Sequence, residues 1–424
     1  MSKLLILQEI DTLPEKNLEC LKTHLKNNGH ENLAYKEEED IILIKNITKN
    51  RNKFTDLEKQ CKNIILTKDL ELINYYFNDI IHNPEEIKID LSTTIIQESI
   101  EGTTIVCFYH NDKWYISTRS CIDAEKSNWV PNYSYKILFE EIICLDILDH
   151  PEEDKLRRMN EFYNVLDKTL CYFFVLVHPF NLNIIRTDNK KLIHYMTRKK
   201  GFIEEVEIKT DLYNFSNIEK SEEIKDCTYE TLISNLERMN VDNNESVVKE
   251  GYVIRYYENN ECHVIKLQTN KYKNIKEIKP NHYNEFMNYI ELYKEDKLKN
   301  YLDLNLEISN MDKGKIVNNI SFSLKMLSNE IYMLYFNTRK MNNKEIYDNL
   351  TYIYKKTLYL IHGIHLDTKN KININNVYTI LKKELSTQEL CKLLLDRKDM
   401  INKRYRIFTK YNRYISHITN KIEN

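Results

Sequence analysis

Two glutamate–glycine pairs stand out in a chain of 424 residues that holds only 6 glycines. Glu101-Gly102 opens the β-branched run Thr-Thr-Ile-Val, and Glu250-Gly251 opens Tyr-Val-Ile. A glycine at a strand edge marks a bulge or a close approach of the backbone, often by a ligand, because no Cβ stands in the way. On that reading the two pairs frame a ligand pocket. The plainer reading makes them bulge glycines, with the acids paired to Arg119 or Lys266. His178, beside Pro179 at a strand end, suits catalysis by type, but packing or a turn hydrogen bond is its commoner use. His362 and His365 in IHGIH have i, i+3 spacing that suits a metal; with no third ligand in view they read as surface or core histidines of a helix.

The last chemically suggestive stretch is KRYRIFTKYNRYISHITNK, 403–421. Here Arg404, Arg406, Lys410 and Arg413 alternate with Tyr405, Phe408, Tyr411 and Tyr414. Cations neutralise phosphates and rings stack on unpaired bases, so the segment suits an RNA contact. A solvated amphipathic helix with its rings turned inward is the alternative. The net charge of −2 hides an asymmetry. From residue 281 onward there are 24 Lys and Arg against 16 Asp and Glu, leaving 38 against 48 before it.

These residues need a scaffold, and the length allows two or three domains. The composition, 42% hydrophobic and 30% charged, is that of a globular protein, and no apolar run approaches a bilayer's thickness. Nine cysteines without C-x-x-C spacing predict a reducing compartment, the cytoplasm, and neither a disulfide frame nor a zinc site. The start, MSKLLILQEIDTLPEK, does not read as a secretory leader. The excess of Asn, Ile, Lys and Tyr is what an AT-rich genome produces, such as that of a large DNA virus or an AT-rich microbe.

Residues 1–90 mix short amphipathic helices with short apolar runs such as IILI and NIILT. From 91 to 123 the pattern predicts strands over STTIIQ, TTIVCFYH and KWYISTRS, the last two joined at His110-Asn-Asp. A charged helix over about 152–169 and a buried strand YFFVLV follow. A second hairpin pairs EGYVIRYY with CHVIKLQ. After Pro280 helical periodicity runs to the end, with Ser386 and Glu389 placed for a capping box. The fold class expected is α+β, with a sheet-bearing domain over 1–280 and an all-helical, basic domain over 281–424.

In order along the chain, Ser99-Ile-Glu101-Gly102-Thr103, Thr118-Arg119-Ser120, Phe174-Val175-Leu-Val177-His178-Pro179-Phe-Asn181, Glu250-Gly251-Tyr252-Val253-Ile254 and Ile265-Lys266-Leu267-Gln268 with Tyr272 resemble five motifs of the covalent nucleotidyltransferases. That superfamily includes polynucleotide ligases and mRNA capping enzymes, and the likeness is to its phage-type RNA ligase branch. It covers roughly residues 90–275. The resemblance implies a ligase-type domain of antiparallel sheets and a three-step chemistry. A lysine amine attacks the α-phosphate of ATP or GTP, the nucleotide passes to a 5′-phosphate end, and a 3′-hydroxyl displaces it. It assigns Glu101, Gly102, Arg119, Glu250, Gly251 and Lys266 to the nucleotide, with Glu250 also a candidate ligand for Mg²⁺.

Ser99 stands where the family has its nucleophilic lysine, and an alcohol cannot form the phosphoramidate. Val175 replaces the third motif's acid, Gln268 the fifth motif's second lysine, Ser120 a glycine, and Leu182 an arginine. Lys88 and Lys113 are the nearest substitute amines, one ahead of the strand and the other at a hairpin turn. The expectation is a ligase-like pseudoenzyme that binds RNA or nucleotide. One alternative is a divergent active RNA ligase or end-modifying transferase that uses another amine or takes pre-adenylylated ends. Another is a structural or virion component that uses the fold for protein contacts.

Overall fold

The structure is a computed structural model that describes residues 4–47, 53–181, 184–185, 187–208, 210–241, 248–258, 261–304 and 310–395. It divides into two units, 1–272 and 273–424. It is mixed α+β, rich in antiparallel sheet, with a helical C-terminal region.

The first unit opens with α1 (Leu5–Asp11) and α2 (Leu18–Asn27). In α2 the spacing of Leu18, Leu21 and Leu25 buries one stripe, and the Asn17 side chain caps the start by accepting the Cys20 N–H. Strands β1 (Leu33–Glu38), β2 (Ile41–Asn46), β3 (Ile64–Thr67) and β4 (Leu72–Tyr75) form an antiparallel sheet in that order. Ile41 to Ile44 are all buried, which is why IILI reads as an unbroken apolar run. Between β2 and β3 lies α3 (Asp56–Gln60), started by a reciprocal Thr55–Glu58 capping box.

Nine further strands build two more sheets. They are β5 (Ile81–His82), β6 (Ile95–Ser99), β7 (Thr103–His110), β8 (Lys113–Thr118), β9 (Leu170–Val177), β10 (Lys191–Lys199), β11 (Ile218–Lys220), β12 (Gly251–Glu258) and β13 (Glu261–Gln268). One sheet has the order β11-β10-β9-β7-β8, the other β5-β13-β12-β6. Both are antiparallel except for β11 beside β10 and β5 beside β13.

Alternation sorts the first of these sheets into two faces. Ile105, Cys107, Tyr172, Phe174 and Leu176 join Leu138, Phe139, Ile142 and Phe162 in one core. Those partners come from α4 (Tyr135–Ile143) and α5 (Glu152–Asn164). Thr104, Val175, Ile193 and Tyr195 point the other way, into a cleft shared with β6, β12 and β13. A third helix, α6 (Tyr229–Val241), contributes Leu232 and Leu236 to a core with Ile96, Ile254 and Ile265.

Two expected boundaries move. The helix ends at Asn164, not near 169, because the Asp167 carboxylate accepts the Thr169 N–H at 2.8 Å, a turn that competes with helix. The strand expected from Ser92 starts at Ile95, after a single 3₁₀ turn capped by Asp90.

From α7 (Asn270–Ile278) onward the described residues are helical: α8 (Glu285–Lys294), α9 (Leu298–Leu304), α10 (Asn310–Tyr335), α11 (Lys344–Asp348), α12 (Tyr352–Thr368), α13 (Ile374–Lys383) and α14 (Thr387–Leu395). Ile316, Ile320, Leu324, Leu327 and Ile331 give α10 a buried stripe at helical spacing. The capping box ahead of α14 forms, with Ser386 N–H donating to Glu389 at 2.9 Å and Glu389 N–H to Ser386 Oγ at 3.2 Å. No helix among the described residues is long and apolar enough to cross a membrane.

Candidate functional site

Strand register assembles the site. On the central strand β12, Gly251 faces Ser99 of β6 on one side and Gln268 of β13 on the other. Residues separated by up to 169 positions are thereby set side by side at one end of the sheet. Glu250, one residue ahead of β12, turns its carboxylate into this group. Ser99 Oγ donates to Glu250 Oε2 at 2.9 Å, while Lys266 Nζ and Gln268 Nε2 each donate to Oε1 at 3.0 Å. Asn83 braces the arrangement by accepting the Gln268 N–H at 2.7 Å.

Ser99 and Glu250 are each 4% exposed, so the carboxylate is almost wholly out of water. Burial alone would raise its pKa. The Lys266 charge and the hydrogen bonds from Lys266, Ser99 and Gln268 outweigh that and hold it below the ordinary range. Glu101 goes the opposite way. One of its oxygens accepts the N–H groups of Ile184 at 2.9 Å and Ile185 at 2.6 Å, and the other accepts the Tyr272 hydroxyl at 3.1 Å. Burial nonetheless wins and lifts its pKa, with the Glu250 charge adding to the rise.

Both glycines are sterically required. Gly251 has φ +134°, and a Cβ there would lie 2.0 Å from the Leu267 carbonyl oxygen. At Gly102 a Cβ would meet the Leu176 carbonyl oxygen at 2.5 Å and Val175 Cγ1 at 2.6 Å. In each case the close neighbour is another strand of the protein itself.

The cleft between the sheets holds a cavity of about 120 Å³, walled by Tyr76, Phe77, Tyr195, Arg255, Val175 and Lys266 among others. Ligand pockets usually begin at roughly 300 Å³. Arg255 is fully buried and donates to Glu205 at 2.9 and 3.2 Å and to Gln97 Oε1 at 2.6 Å. It fills space on the cleft side of β12. Among the described residues no three His, Cys, Asp or Glu side chains gather for a metal ion. The cavity's size and the fully engaged carboxylates do not fit a nucleoside triphosphate and its metal.

No protein-family model matches the chain. A curated relative, the immediate-early protein ICP-46 homolog of Invertebrate iridescent virus 3, is 30% identical over 131 residues. That match covers 29% of this chain and 27% of the relative, so the chain spans about a quarter of that protein's length. Among solved structures, a chain described as an ATP-dependent DNA ligase from Aquifex aeolicus matches at a TM-score of 0.34 and 13% identity, covering 92% of this chain and 80% of that one. An archaeal ATP-dependent RNA ligase matches in two forms, both at a TM-score of 0.38. Identities are 10% and 11%, with coverage of 74% and 77% of this chain and 79% and 83% of the ligase. At such scores these likenesses carry no weight for activity.

The remaining candidates are scattered. Arg119 is exposed at the end of β8, and its guanidinium makes no hydrogen bond or ion pair among the described residues; only its carbonyl is used, by Asn63 at 3.0 Å. Ser120 follows it in the turn after β8. Val175 lines the cavity, while Asn181 joins Thr103 at 2.7 Å and the Leu176 carbonyl at 2.8 Å. His178 is buried: its Nδ1 accepts the Phe180 N–H at 3.1 Å and its Nε2 lies 3.5 Å from Glu141. Lys113 pairs with Glu39 and Lys88 with Glu86, both away from Ser99's partners. His362 shares a hydrogen bond with Tyr335, and His365 with the Asn370 carbonyl. Leu182 and the RNA-contact candidates Arg404, Tyr405, Arg406, Lys410, Tyr411 and Arg413 lie outside the described residues.

Asn83, Glu205 and Arg255 carry weight that the motifs did not reveal. Arg255 had a sequence signal, a charge on the same face of β12 as Gly251 and Val253. Asn83 and Glu205 had none.

Proposed function

We propose that this protein is a ligase-type nucleotidyltransferase fold turned to RNA binding, without self-nucleotidylation. The observation that carries the reading is the bond from Ser99 Oγ to Glu250 at 2.9 Å. Ser99 shares the Glu250 carboxylate with Lys266 and Gln268, its proton committed to a structural hydrogen bond, and the resemblance assigns the nucleophile to this residue's position. The order of the five motifs supports the same fold assignment. The small cavity argues against free nucleotide as the ligand, and the basic, aromatic segment 403–421 supplies a phosphate- and base-binding composition.

The test is intact-protein mass spectrometry after incubation with ATP or GTP and Mg²⁺ or Mn²⁺, with wild type beside Ser99→Lys. No adduct is expected on wild type, and one there overturns the reading. An adduct on Ser99→Lys alone would show that the cleft opens to nucleotide and is disabled at one side chain. In parallel, a 5′-phosphorylated RNA oligomer is titrated by fluorescence anisotropy at several salt concentrations. Affinity that falls steeply with salt supports RNA binding; no affinity leaves the fold as a protein scaffold.

A further inference from the structure

A second recess lies on the outer side of the first unit, away from the Ser99 cleft. It is a groove of about 1030 Å³ between the β1–β2 turn, β8, α4 and α5. Its floor is aromatic: Trp114 stacks on Tyr163 with centroids 5.8 Å apart and planes 7° from parallel. Leu156 of α5 and Ile137 of α4 line it and are 64% and 46% exposed, so each offers apolar surface to a ligand.

The charges around it do not balance. Each lysine of the groove already holds an acid: Lys113 holds Glu39, Lys126 holds Glu38, Lys155 holds Glu152, and Lys136 reaches out to Glu125. Glu141 is bound by Lys190 and His178. Glu37, Asp123 and Glu140 are left over: none of the three has an ion-pair partner among the described residues, though the Asp123 carboxylate accepts the Glu125 N–H at 2.9 Å. Glu140 is half-buried, and its pKa is raised by that burial despite Lys136 nearby. A cation brought to it would recover a cost the fold now bears. Nucleic acid is the wrong partner for such a rim, and no metal-sized cluster exists among the described residues.

We infer that this groove docks a basic segment of a partner protein that carries an apolar face, with Leu and aromatic side chains on the Trp114–Tyr163 floor and Lys or Arg against Glu37, Asp123 and Glu140. Specificity comes from the unpaired carboxylates and affinity from the apolar floor.

Trp114 is itself the reporter, since the chain has 2 tryptophans and Trp129 can be replaced by Phe. The full chain carrying Trp129→Phe is titrated with an amphipathic lysine–leucine peptide of about 16 residues, and with the same peptide bearing glutamate for lysine. The cationic peptide is expected to change Trp114 emission saturably and the anionic one to leave it unchanged. Glu37→Lys with Glu140→Lys should weaken binding by about tenfold or more, as should raising salt from about 50 to 500 mM. Glu37 is exposed, so Glu37→Lys alone gives a variant whose folding is not in question, with a smaller loss of the same sign. No saturable change, equal response to both peptides, or indifference to both charge reversals overturns the proposal.

Discussion

Ser99 and Glu250 lie 151 positions apart in the chain, yet the serine hydroxyl donates to the glutamate at 2.9 Å from a buried position. The same carboxylate takes Lys266 and Gln268 on its other oxygen. The group is closed on itself, and its members can be tested one at a time.

Ser99→Ala removes one hydrogen bond to a buried carboxylate while keeping the volume nearly unchanged. The expected loss is about 1.5–3 kcal/mol, the range for a bond to a charged group. Urea denaturation at pH 7 reads it. An unchanged midpoint would show that the bond contributes nothing to folding.

Lys266→Met leaves Glu250 buried without a cation, and about 3 kcal/mol should be lost. The pH dependence changes with it. Glu250 has a folded pKa below its unfolded one, so its stabilisation is present above about pH 4.3 and is lost as pH falls through the folded value. In Lys266→Met the part of the acid-side decline due to Glu250 should flatten or reverse, measured as the unfolding midpoint between about pH 7 and pH 3.

Glu101 has the opposite sign. Its folded pKa is raised, so its contribution is full below the unfolded pKa and is lost as pH rises through the folded one. Glu101→Gln, which keeps an oxygen for the Ile184 and Ile185 N–H groups, should remove that loss. The variant gains on wild type as pH climbs from about 4 to 7. A constant difference across that range would contradict the burial argument.

Gly251→Ala should cost more than Gly102→Ala. At Gly251 the φ of +134° and a 2.0 Å approach to backbone combine, whereas at Gly102 only the 2.5 Å approach applies. A loss above about 3 kcal/mol is expected for Gly251→Ala, a large share of the usual stability of about 5–15 kcal/mol. Soluble yield and thermal melting report it.

Deleting 403–421 takes away 6 Lys and Arg. If this segment holds the RNA, affinity should fall on its removal. The slope of log K against log salt should also shrink, by about 0.7 for each phosphate of a single strand that the segment neutralises. An unchanged slope would move the RNA-binding surface elsewhere.

The sequence by itself determined a good deal here. Alternating apolar runs set the strands, because in-and-out side-chain period is a local property of an extended chain. Loss of strand pattern after Pro280 marked all of the helical region but its first helix, which begins earlier at Asn270, and Ser386-x-x-Glu389 marked its last described helix start. The two Glu-Gly pairs announced close backbone approach, since only glycine tolerates it, though both glycines turn out to meet neighbouring strands. What the sequence could not determine is which polar side chains direct their hydrogen bonds to one another. That depends on register, and register joins Ser99, Gly251 and Gln268 only once three strands have paired. Tertiary structure alone set Arg119 outside that cluster and gave Arg255 its partner Glu205. It also left Glu37, Asp123 and Glu140 unpaired around one groove, because ion-pair partners are chosen by distances in space that no local pattern encodes.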